Sequence, residues 1–124
     1  MKFSTKAEYG LRAIMHLADS DEPVSLASIA KIENISLAYL ERIFAMLKKA
    51  DLITSFKGVQ GGYILSKPAN QVNVAEIVQA LEGELYKIDC AECNVTCCKV
   101  HPVWQKLYEQ IDSTLNSITL KDLI

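Results

Sequence analysis

Ser36-Leu37-Ala38-Tyr39-Leu40-Glu41-Arg42-Ile43-Phe44-Ala45-Met46-Leu47-Lys48-Lys49 is followed, after Ala50-Asp51, by Leu52-Ile53-Thr54-Ser55-Phe56, Lys57-Gly58-Val59-Gln60-Gly61-Gly62 and Tyr63-Ile64-Leu65. In the first segment Leu40, Ile43, Phe44 and Leu47 share one helical face, and Ser36 stands where it can cap the helix. The remainder reads as a strand, a glycine-rich turn and a returning strand, with Lys67-Pro68 ending the hairpin. Upstream, Ser25 can cap a short helix running through about Lys31, and Asn34 marks a tight connection. Two helices across a short turn, then a hairpin with a basic, glycine-rich tip, describe a winged helix-turn-helix.

The flanks fit around that unit. Thr5-Lys6-Ala7-Glu8 has the form of a capping box, and Ala7, Leu11, Ile14 and Ala18 recur at helical spacing until Asp19-Ser20-Asp21-Glu22-Pro23. Asn73-Val74-Ala75-Glu76 is a second such box, opening a helix with Val74, Ile77, Val78 and Leu81 inward and Gly83 as its stop. Pro102 suits the first turn of a last helix in which Val103, Leu107, Ile111, Leu115 and Ile118 form an apolar stripe, with Trp104 and Tyr108 alongside. A lone helix must bury such a stripe, and a homodimer is the simplest way. The expected fold is mainly α with a small β-hairpin: a winged helix-turn-helix plus a long C-terminal dimerisation helix. Residues 1–83 would form the winged part and residues 84–124 the cysteine segment and dimerisation helix, together one compact unit.

The chain has 124 residues, half of them apolar and 23% charged, which excludes a disordered polymer. No apolar run approaches the roughly 18 to 20 residues needed to cross a bilayer. Glu8 precedes any apolar stretch that would serve as a signal-peptide core, so a cytoplasmic protein is expected, with no membrane partner. The net charge of -2 argues mildly against a nucleic-acid partner, but the total hides an asymmetry. Residues 1–67 carry nine basic and seven acidic side chains, net +2, while residues 68–124 carry four and eight, net -4.

The positive part holds the groups that can meet DNA. Off the buried face of the third helix lie Ala38, Tyr39, Glu41, Arg42, Ala45, Lys48 and Lys49. Ser36 and Tyr39 can donate to phosphates, Glu41 can accept from a cytosine amino group, and Arg42 can contact guanine or phosphate. No carboxylate occurs between residues 52 and 67, so Lys57, Lys67 and the wing tip with Gln60, Gly61 and Gly62 can approach a phosphate-lined groove. One chain lacks the charge for tight binding. A symmetric dimer, with recognition helices about one helical turn or roughly 34 Å apart on a pseudo-palindromic operator in double-stranded DNA, meets that need.

All four cysteines fall in Cys90-x2-Cys93-x3-Cys97-Cys98-x2-His101. In a reducing compartment such clustering favours metal binding or redox chemistry over structural disulfides, and a bridge between adjacent Cys97 and Cys98 would be strained. Spacing alone leaves three site types open: tetrahedral zinc, an iron-sulfur cluster, and free thiols acting as a reversible redox switch.

Three stretches closely resemble the IscR, NsrR and RirA type of bacterial regulators in the Rrf family. They are Ile35-Ser36-Leu37-Ala38-Tyr39-Leu40-Glu41-Arg42-Ile43-Phe44, Leu47-Lys48-Lys49-Ala50-Asp51-Leu52-Ile53, and Lys57-Gly58-Val59-Gln60-Gly61-Gly62-Tyr63-Ile64-Leu65. The opening Lys6-Ala7-Glu8-Tyr9-Gly10-Leu11-Arg12-Ala13 and the closing Ile118-Thr119-Leu120-Lys121-Asp122-Leu123 extend the likeness over essentially the whole chain. The resemblance implies a dimeric transcription regulator, often a repressor, with its third helix in the major groove and its wing in the minor groove.

For the cysteines the resemblance implies an iron-sulfur cluster, 2Fe-2S rather than 4Fe-4S, sensing iron-sulfur status, redox state or nitric oxide; zinc is the alternative. Sensor members carry three cysteines before the last helix, some continuing Cys-x2-His-x2-Trp, matched here by Cys98, His101 and Trp104. Cys98, Cys90 and Cys93 are then the thiolate ligands, although this loop is shorter than the usual spacing and Cys97 can replace Cys93 or Cys98. His101 would be the fourth ligand. Some relatives use instead a carboxylate from the first helix of the other subunit, where the partner subunit's Glu8 would stand; within its own chain Glu8 also fits the capping box with Thr5.

Enzyme chemistry finds little support. Cys90-x2-Cys93 lacks the alternating strands and helices of a thioredoxin-like site, and Gly58, Gly61 and Gly62 lie inside a hairpin rather than in a phosphate-binding loop. His16 reads as a packed or surface histidine among core-facing residues. No small-molecule substrate is expected.

Overall fold

A computed structural model of the chain describes residues 3–83 and 95–124. Its order is α1 (Thr5–Ala18), α2 (Leu26–Glu33), α3 (Leu37–Lys49), β1 (Ile53–Phe56), β2 (Gly62–Leu65), a 3-10 turn (Ala69–Gln71), α4 (Val74–Glu82), α5 (Val95–Asn116) and a closing 3-10 turn (Leu120–Leu123). This is a winged helix-turn-helix with a long C-terminal helix.

Local chemistry explains most of the boundaries. Ser25 and Ser36 each accept from the backbone N–H three residues on, at Ser28 and Tyr39. Between α2 and α3 Asn34 adopts the left-handed conformation, φ 55° and ψ 48°, which turns the chain within three residues. Asn73 and Glu76 form both bonds of the capping box that starts α4.

Two expectations need correction. Thr5 does not cap α1: Ser4 holds that position without a side-chain cap bond, its amide donating instead to the Glu82 carboxylate at 2.8 Å, and the Thr5 hydroxyl pairs with the Tyr39 hydroxyl at 3.2 Å. The last helix begins at Val95 rather than at Pro102, so Pro102 sits inside it and Cys98 and His101 are helical residues. A proline suits a first turn because its missing amide costs nothing there, whereas in a helix interior it removes one donor; α5 nevertheless continues through it.

Leu40, Ile43, Phe44 and Leu47 of α3 pack with Ile14 and Leu17 of α1, Ile29 of α2, and Ile77 and Leu81 of α4 into one core. Phe44 is fully buried and meets the Tyr63 ring edge-on at 5.1 Å, which carries the core to the wing. The hairpin pairs Ile53 with Leu65 and Phe56 with Gly62. Val24, ahead of α2, bridges to Tyr63 as a further short rung. Gly62 is required beside it: its φ is 153°, and a Cβ there would lie 2.5 Å from the Val24 carbonyl oxygen. At the chain's end Thr119 and Asp122 form another capping box, Thr119 bridges to Asn73, and Leu120 is buried, so the last residues close over the base of α4.

Candidate nucleic-acid interface and metal site

Burying Leu40, Ile43, Phe44 and Leu47 leaves the opposite face of α3 to solvent. Ala38, Glu41, Arg42, Ala45, Lys48 and Lys49 are all exposed there. Ser36 spends its oxygen on the Tyr39 amide as acceptor, which leaves its O–H able to donate. Tyr39 differs from the rest of the set: it is half-buried, its hydroxyl pairs with Thr5, and its ring stands edge-on to Tyr9 with centroids 6.0 Å apart.

Lys48 reaches from α3 to the wing, donating from Nζ to Ser55 Oγ at 2.9 Å. At the wing tip Lys57, Gly58, Val59 and Gln60 are exposed, while Gly61 and Gly62 are half-covered; the Gly61 amide donates to the Gly58 carbonyl at 3.0 Å to close the turn. Lys67 is not part of this surface. Its Nζ donates to Glu76 Oε1 at 2.9 Å on α4, so the hairpin's base is pinned and Lys57 is left as the wing's cation.

A charged cluster on α1 and α2 escaped the sequence reading. Arg12 donates from Nε and a terminal nitrogen to Glu33 Oε2 at 3.0 and 2.9 Å, and His16 Nε2 pairs with Glu33 Oε1 at 2.8 Å. These hydrogen bonds, that from His16 first and those from Arg12 next, hold the Glu33 carboxyl below its ordinary pKa of 4.5. An ionised carboxylate only accepts, so the His16 Nε2 carries the shared hydrogen. Arg12 also lies over the Tyr9 ring at 5.3 Å and comes within 4.0 Å of Glu8. The signal in the sequence was the Arg12 and His16 pair four residues apart on one face of α1; its partner Glu33 is far along the chain.

Glu8 itself is largely exposed and free of the capping box first read for it. Cys98 is an exposed free thiol, and His101 follows one turn later on the same side of α5. Cys97 lies in the same helix, and Cys90 and Cys93 lie outside the described residues. Among the described residues no three potential ligands converge on one point. The donors that are described, a thiol and an imidazole at i and i+3, fit the soft-sulfur and nitrogen chemistry of zinc or iron-sulfur sites. Along α5 Val100, Val103, Trp104 and Leu107 remain 44 to 59% exposed, so within one chain much of the apolar stripe is uncovered.

An exposed helix face beside a glycine-tipped wing defines a helix-turn-helix transcription regulator. The chain belongs to the Rrf2 family, whose model, described as an iron-dependent transcriptional regulator, matches residues 3–124. The protein Rrf2 of Nitratidesulfovibrio vulgaris is 36% identical over 131 residues, covering 100% of this chain and 87% of the relative. The structure of CymR, the global cysteine regulator of B. subtilis, superposes with a TM-score of 0.86 at 34% identity, covering 99% of this chain and 95% of that one. That of T. potens IscR gives 0.81 at 42% identity, with 99% and 85% covered. These relatives are regulators, and the chain is not an enzyme. Among the described residues no helix is long and apolar enough to cross a membrane.

Proposed function

We propose that the chain acts in the cytoplasm as a homodimer that binds a pseudo-palindromic operator in double-stranded DNA, with an affinity set by a 2Fe-2S cluster. Residues 1–83 would be the DNA-binding part, and residues 84–124 the cluster-binding and dimerising part. The observation that carries the reading is the exposed α3 face, Ala38, Glu41 and Arg42, presented by a capped helix beside the carboxylate-free wing. Glu41 and Arg42 read base edges. Ser36, Tyr39 and Lys57 hold phosphates, and the backbone at Gln60, Gly61 and Gly62 lets the wing approach closely. The uncovered stripe of α5 supports a dimer seam.

Cys90, Cys93, Cys98 and His101 would hold the cluster, with Cys97 or the partner subunit's Glu8 as the alternative ligands. When bound, such a cluster supplies a link among thiolates and imidazole that responds to iron, oxidant or nitric oxide. Cys98 and His101 lie on the first two turns of α5, so their ligation orients the root of the same helix that carries the dimer stripe. The angle between the two helix-turn-helix units then follows α5.

The test is anaerobic purification followed by visible absorption, iron, sulfide and zinc analysis, and DNA binding before and after oxidation. Coloured protein with iron and acid-labile sulfide, losing its colour in Cys98→Ala while the helical content persists, supports the reading. One zinc per chain and no colour would replace the cluster with a structural site. The exposed Cys98 thiol supports one further reading, a metal-free thiol switch: in that case the colourless, metal-free protein changes DNA affinity on oxidation.

A further inference from the structure

Glu33 closes α2, and the next residue, Asn34, makes the left-handed turn into α3. Its two carboxylate oxygens are divided between two residues of α1 one turn apart, Oε2 to Arg12 and Oε1 to His16. The turn cannot slide along α1 without losing one of them. The contact extends past the turn: Arg12 lies over Tyr9, whose ring meets Tyr39 in the first turn of α3, and the Tyr39 hydroxyl pairs with Thr5 of α1. Beneath this layer Ile14, Ile29, Ile35 and Leu40 are buried together. Apolar packing sets how closely helices approach but tolerates some 15 to 20° in their crossing angle. Directional, charge-assisted hydrogen bonds narrow that range.

The geometry points to Glu33 as a positioning residue for DNA recognition: through Arg12 and His16 it fixes the angle at which the α2–α3 unit sits on α1, without itself touching DNA. This rests on the reading of the chain as a DNA-binding regulator. A carboxylate so engaged is no phosphate ligand, and its effect falls on the aim of Glu41 and Arg42. Base-edge contacts depend on that aim more steeply than phosphate contacts do, so the loss of Glu33 should erode specific binding and spare non-specific binding.

The test uses the full-length wild type to enrich a duplex from a random-sequence pool, then compares that duplex with a scrambled one of equal length. Glu33→Ala and Arg12→Lys are expected to weaken the enriched duplex about tenfold and the scrambled one by less than about twofold, with Glu33→Gln recovering part of the loss. Circular dichroism monitors the fold; if Glu33→Ala does not fold, Glu33→Gln and Arg12→Lys carry the comparison. Equal losses on both duplexes, or an unchanged affinity with only a lower melting temperature, overturn the positioning role while leaving DNA binding intact. A wild type that enriches no duplex overturns both.

Discussion

Val24 and Tyr63 exchange both of their backbone hydrogen bonds, at 3.0 and 2.9 Å, so the residue that leads into α2 is paired with the wing's second strand. Gly62→Ala would drive a methyl group into that pairing, 2.5 Å from the Val24 carbonyl oxygen, so the backbone must shift to admit it. The variant is expected to lose about 1 to 3 kcal/mol of stability, read from urea unfolding by circular dichroism. An unchanged midpoint would mean that the Val24 rung adds nothing to the fold.

Acid should expose the Glu33 cluster. Its carboxyl titrates below 4.5 when folded, so its contribution to stability is complete above that value and fades as pH falls through the lower folded value. The stability gap between wild type and Glu33→Gln, measured by urea unfolding, is therefore expected to be larger at about pH 5.5 than at about pH 3. A gap that widens towards acid would contradict the hydrogen-bonded carboxylate.

The lysines at the tip and the base of the hairpin should separate in a salt titration of DNA binding. Lys57→Ala at the exposed tip is expected to make the slope of log affinity against log salt shallower by about 0.9, the value of one phosphate contact. Lys67→Ala should leave that slope unchanged, because its ammonium group is already held by Glu76. Equal effects would place both lysines on the phosphates.

The apolar stripe on α5 is expected to hold the dimer together. Leu107→Asp puts a charge on its exposed part and is expected to raise the dimer dissociation constant at least about a hundredfold, read by light scattering across a concentration series. The helical content of the monomer should persist, since Leu107 is 45% exposed within one chain.

Where a capping side chain announces an element, the sequence was sufficient. Ser25, Ser36 and Asn73 opened α2, α3 and α4 as read, and each hairpin strand differed by one residue at its start alone. The same motif misled at Thr5, because a capping box is defined by side chains that have other uses: Thr5 turned to Tyr39, a partner 34 residues away. Val24 gave no strand signal, since a single rung has no alternation to detect. The exposed α3 face followed directly from the buried one. Lys67, Arg12 and Glu33 did not, because what assigns them is a partner supplied by another element. Cys98 and His101 were legible as possible ligands, but not as neighbours on a helix, because Pro102 looked like its beginning.

That proline divides α5 unequally. Having no N–H, it leaves the Cys98 carbonyl without the bond that residue 102 would ordinarily donate, so the turns ahead of it are stitched to the rest by one link fewer. Opening residues 95–101 therefore requires less than melting the whole helix, and amide exchange there should run ahead of exchange in residues 104–116. The root of α5 is then a weak link in that helix: a ligand or modification taken up at Cys98 would meet the turns that cost least to unwind, while the rest of α5 holds.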